Sequence, residues 1–523
     1  MPVRFAAPFL ALVVALAALP LRAADLTVAV SADVTSIDPH FHNLTPNNNV
    51  AEHVFETLVA KDAGSRLIPG LAVSWRAVDE RTWEFRLRKG VRFHDGSDLT
   101  AEDVACSIDR VAQVPNSPSP FTIYSKQITE KLILDAHTIR FKTATPYPLM
   151  PNDMSTIFIV SRKSGCGARS EDFNSGKATI GTGPFRFVRY AKGDRIELAR
   201  HDQYWGPKSP WEKVTLRVIT NDPARVAALL AGDVQAIENL PTSDRARMTG
   251  VREVTVHRTV SHRLIFLHLD THRDKTPFVT DKAGKPLDKN PLKDARVRHA
   301  LSKALNRDAI ADRIMDGAAI PTGQLMPPGL FGFDASIKPE KFDAEGAKKL
   351  LADAGYPDGF ALTLHGPNDR YVNDDQICQA VAQMLSRVGI QARVETMPSA
   401  VYFSRASKLE FSLMLVGWAA DTAEASSPLK ALLATYSREK GMGSANRGRY
   451  SNPKLDQLLE QALATVNDPK REKLLQEATA LAVGDLGIIP LHHQVNLWAT
   501  RKGITYKPRV DERTLAYHFH PVP

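Results

Sequence analysis

Apolar and polar positions along the chain predict a succession of short strands and helices of the α/β type. An almost wholly apolar stretch from Phe411 to Gly417 predicts a strand buried on both faces of a parallel sheet. This stretch ends at Gly417 and Trp418, and Asp421 follows. Ligands of open α/β sheets bind beyond the carboxyl ends of strands. These residues therefore indicate a ligand-binding site. The glycine lets a ligand approach the backbone, the tryptophan offers a flat apolar surface, and the aspartate can pair with a cation.

The pattern around this strand is also α/β. Apolar spacing predicts a helix that stops at Gly355, followed by a β-α-β unit over residues 360–394 whose helix stops at Gly389. In the first half, alternation over residues 83–88, a turn at Lys89-Gly90 and a strand over 91–93 predict a hairpin. Thr100 and Asp103 have the spacing of a capping box at a helix start.

Length and composition favour a globular protein of several domains. A chain of 523 residues and 57.6 kDa is too long for one hydrophobic core. The formal net charge is +9, but no Lys/Arg cluster with interleaved aromatic residues occurs, so nucleic-acid binding is not predicted. With three cysteines, Cys106, Cys166 and Cys378, we expect at most one disulfide, and the sequence does not say which. Cys106 and Cys378 lie in helical patterns, where a small buried thiol is expected.

The first 24 residues have the pattern of a secretory signal peptide. Arg4 precedes an apolar run from Phe5 to Leu21, and small residues follow, with cleavage expected near Ala23 or Ala24. No other run approaches the roughly 18 apolar residues that a membrane span needs. No cysteine lies in this region, so we expect an exported protein without a lipid or membrane anchor.

Several motifs, in their order and spacing, resemble one protein family. The most specific is WEFRLRKGVRFHDGSDLTAEDV at residues 83–104. Shorter motifs support it: IDP (37–39), GTGPF (181–185), RVRHAL (296–301), PPG (327–329), VGI (388–390), GWAAD (417–421) and RYSNP (449–453). Together they resemble the bacterial extracellular solute-binding proteins that include the dipeptide- and oligopeptide-binding proteins of ABC importers.

The resemblance implies an α/β periplasmic binding protein of the large peptide-binding class, with two hinged lobes and an inserted domain. The signal peptide would cover residues 1–24. Lobe I would combine residues 25–58, 181–270 and 496–523, the inserted domain residues 59–180, and lobe II residues 271–495. Ligand would be enclosed between the two lobes, which close by a hinge motion.

The family pattern implies roles for residues around the predicted strand end. Asp421 matches the acidic residue that pairs with the α-amino group of bound peptides in this family. Gly417 and Trp418 would supply backbone hydrogen bonds and a wall, since peptides commonly bind by strand addition. Glu424 also fits the pattern. Thr422 and Ala425 stand where family members often carry Tyr and Pro, so side-chain specificity does not carry over.

Further ligand-binding residues are open alternatives. A peptide carboxylate favours a guanidinium, and the candidates are Arg370, which follows a strand, and Arg447 and Arg449, which precede a helix. Each is otherwise an ordinary solvated or ion-paired arginine. The sequence predicts a polar loop through Asn47, Asn48 and Asn49, which faces the ligand or is an ordinary loop.

Metal binding and catalysis are the alternative classes of function. The histidine pairs 40/42, 492/493 and 518/520 offer at most two ligands each, so no metal or cofactor is predicted. Ser-x-x-Lys occurs at Ser427, Ser437 and Ser451, but its partner motifs and a Gly-x-Ser-x-Gly elbow are absent from the sequence.

We therefore predict a monomeric periplasmic protein, not an enzyme, that delivers a di- or oligopeptide to an inner-membrane ABC permease. An opine, a glutathione-like conjugate, an oligosaccharide or a metal or haem complex is the alternative ligand.

Overall fold

The computed structural model describes residues 24–522, so the predicted signal peptide lies outside the described residues apart from Ala24. The strands are β1 (Ala24–Val30), β2 (Glu56–Thr57), β3 (Val59–Lys61), β4 (Leu67–Pro69), β5 (Ala72–Asp79), β6 (Thr82–Leu87), β7 (Ile128–Asp135), β8 (Thr138–Thr143), β9 (Phe158–Ile159), β10 (Phe185–Ala191), β11 (Arg195–Arg200), β12 (Trp211–Val218), β13 (Ala236–Ile237), β14 (Val254–Leu269), β15 (Val279–Thr280), β16 (Ala319–Pro321), β17 (Ala361–Pro367), β18 (Gln391–Met397), β19 (Leu413–Ala419), β20 (Ile488–Arg501), β21 (Ile504–Tyr506) and β22 (Phe519–Pro521).

Helices cover the faces of these strands. They are α1 (Thr45–Val54), α2 (Ala101–Arg110), α3 (Thr122–Ser125), α4 (Met150–Asp153), α5 (Ser170–Asn174), α6 (Asp222–Ala231), α7 (Thr242–Thr249), α8 (Ala295–Lys303), α9 (Arg307–Ala309), α10 (Ala344–Asp353), α11 (Asp374–Ser386), α12 (Ser399–Ser407), α13 (Ser426–Pro428), α14 (Pro453–Ala464) and α15 (Asp468–Gly484). Short 3-10 segments lie at Pro291–Lys293 and Ala516–His518, and π-helical turns at Ile310–Ile314 and Leu429–Leu433.

Two long strands join the halves of one mixed sheet. Its strand order is β10-β11-β12-β1-β13-β20-β14-β19-β17-β15, with β16 added to β20 and β18 to β17. β14 has 16 residues and β20 has 14, and they pair antiparallel from Val254↔Arg501 to His268↔Ile488. The pairing shifts register between Val260 and Leu264. Such an irregularity bends and twists a ribbon, so the connection between the halves is bent at this point.

Residues 59–180 contain a separate antiparallel sheet of order β5-β6-β8-β7. Its core includes Trp83, Phe85 and Phe141, which pack against α2. The predicted capping box is confirmed, since the Asp103 carboxylate accepts from the backbone N–H of Thr100 at 2.9 Å at the start of α2. The predicted hairpin over residues 83–93 is wrong, because β6 pairs with β5 and β8 instead.

The disulfide joins Cys106 of α2 to Cys166, with the Cα atoms 6.1 Å apart. The expectation of a free buried thiol at Cys106 is therefore wrong, because Cys166 lies opposite this face of the helix. Cys378 is free and buried, as expected.

The motif Ile37-Asp38-Pro39 contributes a buried ion pair. The guanidinium of Arg110 donates to both Asp38 oxygens, at 2.8 and 2.7 Å, and both side chains are at least 96% buried. Asp38 also accepts from the Ser170 hydroxyl at 2.7 Å and from the His40 backbone N–H at 3.0 Å. The pair ties the segment after β1 to the C-terminal end of α2.

Two further local predictions fail for reasons of tertiary structure. The 411–417 strand exists as β19, but it pairs antiparallel with β14 and parallel with β17 only at Leu413 and Met414, so the sheet is mixed. The predicted loop through Asn47, Asn48 and Asn49 is instead part of α1, where all three are buried.

The boundaries at residues 58, 180, 270 and 495 remain predictions. Within residues 24–522, no helix is both long and apolar enough to cross a bilayer.

Candidate functional site

The site is built at the end of β19. Residues 413–416 are buried, whereas Gly417, Trp418 and Ala419 are half-buried. Beyond Met414, no strand that the structure describes pairs with β19 on its β17 side. Two carbonyls of this segment, those of Leu415 and Gly417, accept from the Tyr402 and Tyr371 hydroxyls at 2.8 and 3.1 Å, and the main-chain groups that remain can pair with an extended ligand.

Asp421 follows this strand with its carboxylate unoccupied. The side chain is 60% exposed, and within residues 24–522 its oxygens accept no hydrogen bond. The nearest cation candidate is His262, whose Nε2 lies 3.8 Å from Oδ1. Burial lowers the pKa of His262, although Asp421 acts in the opposite direction, so this imidazole is neutral at neutral pH. The carboxylate is therefore available to an incoming cation.

Two residues from the first third of the chain, Lys61 and Asn152, hold the main chain of the Asp421 loop. Lys61 Nζ donates to the carbonyl oxygen of Asp421 at 2.7 Å, and the Asn152 amide donates to that of Thr422 at 2.8 Å. Burial lowers the pKa of Lys61 to about 8. Both contacts fix the position of the loop while leaving the Asp421 carboxylate free.

Tyr371 packs against β19 at Gly417. Its hydroxyl donates to the Gly417 carbonyl at 3.1 Å, and the ring lies where a side chain on residue 417 would be. Trp418 is half-buried, and its Nε1 donates to the Ser427 hydroxyl at 3.2 Å. Gly417 thus allows the ring to approach the strand, and Trp418 is fixed beside it.

We expect alanine at position 417 to destabilise the protein by about 1–3 kcal/mol. The added Cβ would lie 2.6 Å from Cε1 of Tyr371 and 2.8 Å from Cδ1 of Ile265. Urea denaturation measures the change. Gly484→Ala is the control, since a Cβ there meets no atom within 4 Å. Equal stability of Gly417→Ala and the unaltered protein would contradict the tight packing of Tyr371.

Two of the three candidate arginines lie beside Tyr371. The Arg370 side chain is exposed, with Cζ 5.4 Å from the centre of the Tyr371 ring. Arg447 is half-buried, with Cζ 5.3 Å from the centre of the Phe403 ring. Burial lowers the pKa of Arg447, and the phenols of Tyr402 and Tyr371 are close enough to oppose this. The Tyr371 hydroxyl bonds to the Gly417 carbonyl, and the Tyr402 hydroxyl bonds to that of Leu415. Arg370 therefore lies beside one tyrosine that contacts β19, and Arg447 lies beside Phe403, whose ring is 5.0 Å from that of the other.

We call the following residues the strand-end site: Gly417, Trp418, Asp421, Arg370, Tyr371 and Arg447. Arg449 is separate, because its guanidinium stacks 3.8 Å from the centre of the exposed Tyr436 ring and its Nη1 lies 3.4 Å from the Asn446 carbonyl.

Glu424 lies behind the Asp421 loop. It is 1% exposed, and its carboxylate accepts from Arg471 at 2.6 Å and from the Ser426 hydroxyl. Glu424 and Arg471 line a cavity of about 550 Å³ together with Phe331 and Trp75. The Glu424 carboxylate is therefore occupied within the protein.

Asn48 connects to the site only indirectly. Its amide donates to Asn43 at 3.0 Å, and the Asn43 amide donates to the Tyr124 hydroxyl at 3.0 Å. Burial, together with the charge of Asp421, raises the pKa of Tyr124 above its ordinary value. Asn47 bonds to Thr35 and Ser36, and Asn49 accepts from the Thr514 backbone.

Sequence reasoning missed Lys61, Tyr124, Asn152 and Tyr371. Tyr371 is adjacent to Arg370 in the chain, so its position in the same loop was a usable signal. The other three come from segments more than 250 residues away from Asp421, and no local pattern marks them.

Comparisons with known proteins place these features in one family. The family model described as "Bacterial extracellular solute-binding proteins, family 5 Middle" matches residues 66–439. The glutathione-binding protein GsiB of Shigella boydii serotype 4 (strain Sb227) is 28% identical over 469 residues, which cover 87% of this chain and 86% of that protein.

Solved structures share the fold. The periplasmic binding protein DppA from Helicobacter pylori, in complex with peptide STSA, has a TM-score of 0.75 at 23% identity, covering 95% of this chain and 98% of that one. HbpA2 from Haemophilus parasuis has a TM-score of 0.80 at 22% identity, covering 95% and 100%. The predicted two-lobed α/β fold of the periplasmic binding proteins is confirmed.

Proposed function

We propose that this chain, which belongs to the bacterial extracellular solute-binding proteins of family 5, captures a small peptide with a free amino group and a free carboxylate. The observation that carries the proposal is the charge arrangement of the strand-end site. Within residues 24–522, the exposed Asp421 carboxylate accepts no hydrogen bond, and the guanidinium groups of Arg370 and Arg447 form no ion pair. Asp421 follows the end of β19, and the two arginines lie beside aromatic residues next to this strand.

The peptide would bind by three kinds of contact. Its ammonium group pairs with the Asp421 carboxylate, and this attraction becomes stronger once closure of the two lobes excludes water. Its main chain pairs with those main-chain groups near the end of β19 that the Tyr371 and Tyr402 hydroxyls leave free, and Trp418 forms a wall beside it. Its carboxylate pairs with an arginine, whose planar donors match two oxygens. The relative named glutathione-binding and the structure in complex with a peptide support a peptide ligand.

The remaining parts of the function follow from the same proposal. The protein is exported to the periplasm by residues 1–24, acts as a monomer and delivers its ligand to an inner-membrane ABC permease. It performs no covalent chemistry, and only a higher affinity of ligand for the closed form is required. Ser427 supports this, since its hydroxyl accepts from Trp418 and, among the described residues, no hydrogen bond joins it to Lys430.

A thermal-shift screen tests the function. We expect one or more di- or tripeptides to raise the melting temperature by several degrees, since a ligand at a thousand times its Kd adds about 4 kcal/mol of stability. N-acetylated versions of the same peptides are the matched control and should give no shift, because they lack the ammonium group. Mass spectrometry after incubation should show intact peptide. A response only to sugars or metal complexes, or hydrolysed peptide, would overturn the proposal.

A further inference from the structure

Arg370 and Arg447 share one property that the buried arginines of residues 24–522 lack. In residues 24–522, neither guanidinium lies within 4.0 Å of a carboxylate oxygen, and neither donates a hydrogen bond; each contacts an aromatic ring instead. By contrast, Arg263 pairs with Glu512 at 2.7 Å. Two unneutralised cations in one site raise its affinity for anions.

The two cations belong to the same site. Arg370 Cζ lies 5.4 Å from the centre of the Tyr371 ring, and Arg447 Cζ lies 5.3 Å from that of Phe403, whose ring is 5.0 Å from Tyr402. The hydroxyls of Tyr371 and Tyr402 bond to carbonyls two residues apart on β19. The charge of Arg263 lowers the pKa of Arg370, and the carboxylates of Glu512 and Asp374 act in the opposite direction. Neither of these carboxylates forms an ion pair with Arg370 among the described residues, so a ligand anion can still pair with its guanidinium.

Other charged groups around the strand-end site are already balanced. Three arginines each have a carboxylate partner, in the pairs Arg263–Glu512, Arg509–Asp511 and Arg513–Glu52. His262 is neutral, and Lys61 donates to a carbonyl group between acidic neighbours. Among the described residues of the strand-end site, the Asp421 carboxylate and the guanidinium groups of Arg370 and Arg447 are then the charged groups without an ion-pair partner of opposite charge.

We propose that the ligand carries one ammonium group and two carboxylates, as an acidic peptide with a net charge of −1 does. This deepens the proposed function and rests on it. Asp421 holds the ammonium group, Arg370 one carboxylate and Arg447 the other. A peptide whose side chains are uncharged would leave the half-buried Arg447 guanidinium without an anionic partner in the closed complex. Such an unpaired charge weakens binding.

The positions of the arginines distinguish their roles. Arg370 is exposed on the loop that follows β17, beside the main-chain edge of β19. Arg447 is half-buried beside Phe403, whose ring lies 5.0 Å from that of the fully buried Tyr402. A ligand main chain along β19 passes Arg370, whereas a side chain directed into the lobe reaches Arg447. We therefore assign Arg447 to the side-chain carboxylate.

Calorimetric titration with matched peptides tests this assignment. The pairs are Ala-Glu against Ala-Gln and Glu-Ala against Gln-Ala, which differ by one charge at nearly equal size. We expect the acid to bind about 10- to 100-fold more tightly than the amide in at least one pair, the range for a charge-assisted hydrogen bond. In Arg447→Gln that ratio should fall to about 1, while the Kd of the amide peptide stays within about threefold.

Controls separate charge recognition from folding. Arg438→Gln removes an exposed arginine of the same lobe that forms no ion pair with a described residue, and should keep the full ratio. The melting temperature without ligand should be unchanged in Arg447→Gln. If both arginines bound one and the same carboxylate, the result would differ. Arg370→Gln and Arg447→Gln would then each weaken binding of the acidic peptide and of its amide equally.

The results of these titrations distinguish failure of the two-carboxylate assignment from failure of peptide capture. Equal affinity for acid and amide in both pairs, or a ratio that persists in Arg447→Gln, overturns the two-carboxylate assignment and leaves peptide capture standing. Failure of every peptide in the thermal-shift screen overturns peptide capture itself, and this inference with it.

Discussion

Replacing Asp421 by asparagine is expected to weaken binding of a peptide with a free amino group about 100-fold, or about 3 kcal/mol. The variant keeps the size of the side chain and its contacts but removes the only free negative charge of the strand-end site. The peptide ammonium group would then be enclosed by closure next to an amide that cannot neutralise it. Isothermal titration with the peptide selected by the thermal-shift screen gives the two Kd values.

A matched variant controls for the loss of one negative charge. Asp358 is exposed and forms no ion pair with a described residue, so Asp358→Asn should bind the peptide as the unaltered protein does. The N-acetylated peptide should bind weakly to both the unaltered protein and Asp421→Asn. If Asp421→Asn retained full affinity for the free peptide, the assignment of the ammonium group to Asp421 would be wrong.

Replacing Arg110 by alanine is expected to lower the free energy of unfolding by about 3–5 kcal/mol. The variant leaves the buried Asp38 carboxylate without its cation, with only the Ser170 hydroxyl and the His40 N–H as donors. It also removes a guanidinium that lies 4.5 Å from the centre of the Phe173 ring. Urea denaturation at neutral pH measures the change.

The pH dependence of the stability difference between Arg110→Ala and the unaltered protein tests whether loss of the Arg110–Asp38 ion pair causes the destabilisation. Burial would raise the pKa of Asp38, but Arg110 holds it below its ordinary value. The pair therefore contributes fully above the ordinary carboxyl pKa, about 4, and its contribution is lost as pH falls through the lower folded value. The difference between the two proteins should shrink in acid. Arg92→Ala breaks an exposed pair, 64% and 70% exposed, and should cost at most about 0.5 kcal/mol.

Local sequence patterns were sufficient for the elements that carry the strand-end site. The apolar stretch before Gly417 predicted β19, and Thr100 with Asp103 predicted the start of α2. These signals depend on residues a few positions apart. Local periodicity has no information on which strands pair, and this explains why the predicted parallel sheet and the predicted hairpin at 83–93 were wrong.

The surroundings of the site depended on contacts between distant segments. Glu424 pairs with Arg471, and Asn48 reaches Tyr124 only through Asn43. Neither partner could be chosen from the sequence, because many arginines and polar residues were equally available. The position of Asn48 in a helix shows the same effect, since the burial of most of α1 overrides the loop preference of three consecutive asparagines.

The position of β20 has a consequence for the order in which the protein can assemble during synthesis. In the strand order, β20 lies between β13 and β14, so it alone connects the two halves of the main sheet along this path. It begins at Ile488, and Trp498 and Phe519 complete the core around β1. Before Ile488 is synthesised, β1 can already pair with β12 and β13. The strand that joins them to β14, and the side chains of Trp498 and Phe519 that complete their core, are made only afterwards.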